Sequence, residues 1–304
     1  MVCSNDANHA GPDTTQPSGT PEGLLLRRSV RADFGALSHV GKVRQSNEDH
    51  YLAGRLGRVL EPVLSNVPAS LLPARVEEQG YGMLVADGMG GTAAGEVASR
   101  MAIVLLLNLV LAAGKWGRSI DKQEAKEIVR RVETYYAQVH SALVKKAEAD
   151  PSLVGMGTTL TAAYSFGDEV VIAHIGDSRA YLYRHGELHQ LTRDHTLVQL
   201  LVDRGRLSPT AAARHHFRHV LTHVLGGKSR SAEADIEHFR LEDQDRLLLC
   251  SDGLTDMLDD ATIGQVLGSV ADVRAACSRL IELALEAGAT DNVTTVLAHY
   301  TITD

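Results

Sequence analysis

Apolar residues recur along this chain in two rhythms, and stretches rich in Gly, Pro and Asp separate them. Residues Ala94 to Ala113 are almost continuously apolar, which predicts a long buried helix. From Asp121 to Ala149, apolar Ile128, Val132, Tyr135, Val139 and Ala142 fall three or four apart, on one face of a second long helix with charges opposite. Short runs at Tyr81 to Ala86, Thr159 to Phe166, Glu169 to Ile175, Ala180 to Arg184 and Arg246 to Cys250 read as strands. Gly167-Asp168 and His185-Gly186 predict hairpin turns. A helix from about Asp272 to Ala287 and a strand from Val293 to Tyr300 follow. Strands cluster in hairpins and do not alternate with helices, so the predicted class is α+β with mainly antiparallel sheets.

Two stretches lack such a rhythm. Residues 1–30 are polar, with almost no apolar periodicity, and read as a disordered tail before a single domain over 31–304. Between about Gly54 and Gly80, Pro62, Pro68 and Pro73 predict an irregular loop packed on the body. The longest apolar stretch, Met101 to Ala113, is interrupted by Asn108 and reads as a core helix too short to span a bilayer. No charged leader precedes an apolar run at the N-terminus, so secretion is not expected.

Charge and cysteine content narrow the partners. A formal net charge of -8 disfavours binding to nucleic acid or an anionic membrane by bulk electrostatics. Cys3, Cys250 and Cys277 show no CxxC pairing and no disulfide framework, which fits a reducing cytoplasm. Cys250 lies inside an apolar strand, where a neutral, packed thiol is expected instead of a nucleophile.

The chemistry is suggested by acidic residues beside Gly or Asn where apolar strands end, Asp87-Gly88, Gly176-Asp177 and Asp252-Gly253, and where one opens, Asp291-Asn292. Each Asp-Gly pair alone is an ordinary turn. Together they change the picture, because carboxylates gathered without neutralising Lys or Arg repel one another unless a cation compensates them. Asp and Glu oxygens suit Mn²⁺ or Mg²⁺, whereas zinc would recruit His or Cys. Gly88, lacking a Cβ, can bend the backbone so that its own carbonyl comes close enough to coordinate. Upstream, Arg44 precedes Glu48 and Asp49; its guanidinium suits bidentate contact with phosphate, or else it is a solvated surface cation or a salt-bridge partner of Glu48.

Read in order, the motifs Gly41-x-Val43-Arg44-x-x-Asn47-Glu48-Asp49, Val85-Ala86-Asp87-Gly88-Met89-Gly90-Gly91 with Gly95-Glu96, and Gly157-Thr158-Thr159-Leu160 point to one family. So do His174-Ile175-Gly176-Asp177-Ser178-Arg179, Leu191-Thr192-x-Asp194-His195, Ser251-Asp252-Gly253-Leu254 and Asp291-Asn292-Val293-Thr294. The chain resembles the metal-dependent protein serine/threonine phosphatases of type 2C, in their bacterial branch, over about residues 35–300. The resemblance implies a four-layer α-β-β-α sandwich with two central sheets. It implies that Asp87 bridges two Mn²⁺ or Mg²⁺ ions, that Asp252 and Asp291 complete the first, and that Glu48 and the Gly88 carbonyl hold the second. Asp49 would fix coordinated water, Asp177 with Asp252 would form a third site, and Arg44 would bind phosphate. Activity would be hydrolysis of phosphoserine and phosphothreonine by a water activated between two cations. Partners would be phosphorylated proteins, substrates of a cognate serine/threonine kinase and that kinase itself, met by a cytoplasmic monomer without membrane insertion.

Two departures matter. Met89 and Thr92 stand where some relatives carry a histidine, so no leaving-group acid is assigned. Residues of about 197–217 fall where the family carries a variable flap; Arg204, Arg206, Arg214, His215, His216 and Arg218 there are either a solvated face or a phosphopeptide attractor. Three other readings stand beside the leading one. A phosphatase of a dedicated regulator would usually bring a sensory domain, for which the tail is short. An inactive phosphoprotein-binding module would usually have lost a ligand. A serine hydrolase using Ser178 or Ser251 lacks a GxSxG elbow.

Overall fold

The computed structural model describes residues 29–68, 72, 75–90, 94–113, 122–227 and 232–303. The expected tail before residue 29, Pro73 and Thr92 lie outside the described residues. In chain order the elements are β1 (Ser29–His39), β2 (Asp49–Leu60), β3 (Val76–Met89), α1 (Ala94–Ala112), α2 (Lys122–Ala149), β4 (Gly157–Thr158), β5 (Leu160–Phe166), β6 (Glu169–Ile175), β7 (Arg179–Arg184) and β8 (Glu187–Gln190). There follow α3 (Leu197–Asp203), α4 (Pro209–Ala212), β9 (Leu225–Gly226), β10 (Asp235–Arg240), β11 (Arg246–Cys250), α5 (Asp252–Thr255), α6 (Asp260–Ser269), α7 (Val273–Glu286) and β12 (Val293–Thr303).

The strands form two sheets. The first has the order β1-β12-β11-β7-β8; the second runs β10-β6-β5-β3-β4-β9, with β2 also paired to β3. Their ladders are antiparallel. Three apolar clusters define four layers. Tyr81, Met83, Val85 and Ile172 of the second sheet meet Leu247, Leu249, Val296 and Tyr300 of the first, filling the space between sheets. Leu248, Cys250 and Leu297, on the opposite face of the first sheet, pack against Ile263, Leu267, Leu280 and Ile281 of α6 and α7. Leu84, Ala86, Leu160 and Ile175 meet Ala98, Ala102, Tyr136 and Val139 of α1 and α2. The expected α-β-β-α sandwich is therefore present.

Local chemistry explains the elements. In β11 both faces are buried, so Leu247-Leu248-Leu249-Cys250 is a continuous apolar run with no polar alternation. The β7–β8 hairpin turns through His185 (φ 52°) and Gly186 (φ 86°), the two positive φ values that a right-twisted two-residue turn requires. Helix α7 starts where the Asp272 carboxylate accepts the Ala275 N–H.

The longer strands that escaped the sequence reading are β1, β2 and β10. The stretch from Gly54 to Gly80, expected to be irregular, instead begins and ends in a long β2–β3 hairpin whose register runs from Asp49↔Asp87 to Leu60↔Val76. Gly54 and Gly57 had masked the alternation of Leu52 and Leu56. β1 was overlooked although Val30, Ala32, Phe34 and Ala36 alternate toward the intersheet core. β10, largely charged, is a strand by its pairing with β6 and not by its composition. Helix α1 is 19 residues long and apolar enough, by length and composition, to cross a membrane. Here it buries one face, Ala94, Ala98, Ala102, Ile103 and Leu106, while Val104 and Leu111 stay exposed, so the expected core helix is buried on one face.

Candidate metal centre

Both sheets end at the same rim of the sandwich. β2 begins there with Asp49, β3 ends there with Asp87 and Gly88, and Asp49 and Asp87 are direct cross-strand partners. The turn after β6 supplies Asp177, the first residue of α5 just after β11 supplies Asp252, and the residue pair before β12 supplies Asp291 and Asn292. The loop after β1 carries Arg44 and Glu48. The site thus straddles two sheets.

Asn292 ties this loop down. Its side-chain NH₂ donates to the carbonyls of Val40 and Ser46, both at 2.9 Å, and its Oδ1 accepts the Glu48 N–H at 2.8 Å. Asp49 is buried, and its Oδ2 accepts the hydroxyls of Ser251 and Thr294, each at 2.7 Å. Asp87 is held by its backbone: its N–H donates to Thr159 Oγ1 at 2.9 Å, and its carbonyl accepts the Thr158 hydroxyl at 2.8 Å and the Thr159 N–H at 2.9 Å. Arg44 Nη2 lies 2.6 Å from Asp291 Oδ2, so its salt bridge is to Asp291 and not to Glu48. A Cβ on Gly88 would collide with the carbonyls of Gly95 and Glu48, and one on Gly95 with the Glu48 carboxylate. Glycine at both positions is required by this close approach of three segments.

Electrostatics show that the carboxylates share one pocket. Burial pushes Asp87 well above the ordinary carboxylate range, and the charges of Asp49, Asp252, Asp177 and Asp291 push it further. Burial raises Asp49 to about 7, against the pull of its two hydroxyl donors. Asp177 is raised by burial and by Asp252, and Glu48 by burial, opposed by Arg44. Protein atoms leave this negative charge largely uncompensated. Asp49 Oδ1 and Asp252 Oδ1 are buried and accept no hydrogen bond. Buried oxygens without partners, in a set of carboxylates, fit hard divalent cations that take oxygen ligands.

Other residues near the rim carried weaker signals. His219 Nδ1 lies 3.8 Å from Asp252 Oδ2 and its Nε2 lies 3.6 Å from Asp256 Oδ2, and these three side chains are close enough to hold an ion together. His219 lies beyond the flap boundary expected at 217. The excursion closes later, through the Thr196↔Leu221 bridge and the bond from Leu197 N–H to the Val220 carbonyl. Ser251 and Thr294 stood in the motifs without a role; only folding shows both aimed at Asp49. Ser178 and Ser251 bond to Thr159 and Asp49 and to no histidine, which leaves no serine nucleophile there. Cys250 is buried, and burial pushes its thiol up to about 12, so it stays protonated.

A two-sheet sandwich with carboxylates from both sheets at one rim is the architecture of a metal-dependent phosphatase. The sequence model of the family described as Protein phosphatase 2C matches residues 70–298. The serine/threonine protein phosphatase PstP of Mycobacterium tuberculosis is 38% identical over 275 residues, which are 90% of this chain and 45% of that relative. This chain therefore spans less than half of that relative's length. The serine/threonine phosphatase stp of Listeria innocua is 38% identical over 71% of this chain and 82% of its own. Among solved structures, the catalytic domain of PstP in complex with two manganese ions superposes with a TM-score of 0.70 at 36% identity, covering 90% of this chain and 100% of that one. The chain belongs to the protein phosphatase 2C family.

Proposed function

We propose that this chain hydrolyses phosphoserine and phosphothreonine in proteins phosphorylated by a cognate serine/threonine kinase, as a cytoplasmic monomer that neither inserts in membranes nor binds nucleic acid. The observation that carries the reading is the pair of unpartnered, buried oxygens, Asp49 Oδ1 and Asp252 Oδ1, inside a pocket of carboxylates from both sheets. Asp87, Asp252 and Asp291 would hold one divalent cation. Asp87, Glu48 and the Gly88 carbonyl would hold a second, with Asp49 orienting its water, and Asp177 with Asp252 would hold a third. When bound, such cations supply a water nucleophile at neutral pH and neutralise charge on the transferring phosphoryl group.

The chain's own groups do the positioning. Asn292 fixes the Glu48 backbone, and Ser251 with Thr294 keeps Asp49 in one orientation with its second oxygen free. Arg44 is half exposed at the pocket mouth and spends its charge on Asp291. Arg44 would bind phosphate, where its planar guanidinium could contact two oxygens at once. The exposed flap arginines Arg204, Arg206, Arg214 and Arg218 lie outside this set; neutralising them should lower kcat/KM for a phosphopeptide more than for p-nitrophenyl phosphate.

The decisive assay measures p-nitrophenyl phosphate and phosphothreonine-peptide hydrolysis with Mn²⁺, with Mg²⁺ and with chelator. Hydrolysis that survives chelation sinks the proposal. Asp252→Ala should abolish turnover and weaken cation binding, whereas Arg44→Ala should mainly raise KM while cations still bind.

A further inference from the structure

We propose that His195 is a positioning residue that fixes the turn carrying Asp177, and so sets the affinity of the cation that Asp177 would bind. The inference rests on the reading of Asp177 as a cation ligand. Gly176, immediately before Asp177, has φ of 115° and packs against the Thr159 side chain so closely that a Cβ there would clash. Such a turn needs its polar groups held. His195 holds both: its backbone N–H donates to the Gly176 carbonyl at 2.7 Å, and its Nδ1 accepts the Gly176 N–H at 3.2 Å.

The ring has one orientation open to it. Because Nδ1 accepts, the proton of the neutral ring sits on Nε2, which donates to Asp235 Oδ2 at 3.1 Å. The His174 and His223 rings both pack against the His195 ring, each with its centroid 5.0 Å away. His174 Nε2 adds a 3.0 Å bond to the same Gly176 carbonyl. The preceding residue is fixed independently, since Arg179 grips both oxygens of Asp194 at 2.8 and 2.7 Å. The His195 carbonyl, by contrast, serves the flap, accepting the Thr222 N–H at 2.8 Å. A substitution at 195 removes the imidazole's bond from the Gly176 N–H and its anchor on Asp235, and leaves the backbone bonds to the Gly176 carbonyl and the Thr222 N–H in place.

The test uses the full chain with Mn²⁺ alone as ligand, counting bound ion by loss of the free-ion electron paramagnetic resonance signal, with Tm recorded for every variant. Asp177→Ala should remove the weakest class of Mn²⁺ sites. His195→Ala should weaken that same class about tenfold, as expected when a residue supporting a ligand is lost. The tighter class, and KM for p-nitrophenyl phosphate at saturating Mn²⁺, should stay as in wild type. His195→Asn should recover most of the loss, because the amide oxygen can accept the Gly176 N–H. Wild-type affinity of the weakest class in His195→Ala overturns the positioning role, as does equal weakening of every class. If Asp177→Ala itself binds like wild type, the cation role of Asp177 fails first and the positioning role falls with it. Should His195→Ala not fold, Asp235→Ala removes only the Nε2 anchor; unchanged affinity of the weakest class there also overturns the inference.

Discussion

Asp49 illustrates how much a single residue depends on its neighbours. It lies deep enough for burial to raise it to about 7, and two hydroxyls hold one of its oxygens while the other is left unpartnered. Ser251→Ala removes one of the bonds that stabilise the charged form. It should weaken Mn²⁺ activation by about tenfold, the scale of a lost supporting contact, with kcat at saturating Mn²⁺ little changed. An unaltered Mn²⁺ activation curve would contradict this role. Gly95 offers a second test at the same scale. A methyl group there meets the Glu48 carboxylate and the Gly88 backbone, so Gly95→Ala should cost about 1–3 kcal/mol by overpacking, read as a fall in Tm, and should impair turnover as well. Its acidic neighbours were legible in the sequence because an Asp-Gly pair at the end of an apolar run is a local signal. The hydroxyl partners were not, because Ser251 and Asp49 are 202 residues apart and nothing local says they meet.

At the scale of elements, β11 shows which patterns survive translation from sequence to fold. Leu247 and Leu249 face the space between sheets while Leu248 and Cys250 face α6 and α7. All four are fully buried. Leu249→Ala should therefore destabilise by about 2–5 kcal/mol in equilibrium urea unfolding, the range for deleting a buried leucine with its cavity. Val104→Ala, on the exposed face of α1, should stay within about 0.5 kcal/mol, as surface changes usually do. The two long helices, β6 and β11 were predicted close to their observed limits, since strong periodicity or an unbroken apolar run marks them. β2 was lost because glycines interrupt its alternation, and β10 because only its partner β6 makes it a strand. Both failures have one cause: pairing across a sheet can stabilise a segment whose own residues state no preference.

For the whole molecule, the consequence of collecting carboxylates is a characteristic pH response. Asp49, Asp87 and Asp177 all have folded pKa values raised above those of an unfolded chain. The folded state therefore binds their protons more tightly, and its stability falls as pH rises from the ordinary carboxylate pKa of about 4. For Asp49 that loss continues up to about 7. Chelated protein should melt at a lower temperature at pH 8 than at pH 5.5, and saturating Mn²⁺ should raise Tm most at pH 8, where the ligands are already deprotonated. A chelated protein that melts higher at pH 8, measured by differential scanning fluorimetry, would show that the carboxylates are not crowded together.

The sequence by itself determined the fold class, the principal helices and strands, and the residue types at the rim, because hydrophobic period and turn chemistry are local properties that each segment carries. It placed Asp87, Asp177, Asp252 and Asp291 at strand ends, and it placed Arg44, Glu48 and Asp49 in one charged cluster. What only the tertiary structure decided was their company. It paired Asp49 with Asp87 across β2 and β3, gave Arg44 to Asp291 and not to Glu48, brought His219 of the flap to Asp252 and Asp256, and seated His195 under the turn that precedes Asp177. The physical reason is range. Periodicity acts within a few residues, whereas hydrogen bonds and charges act across a few ångströms, and only the closing of two sheets onto one core brings residues hundreds of positions apart within that distance.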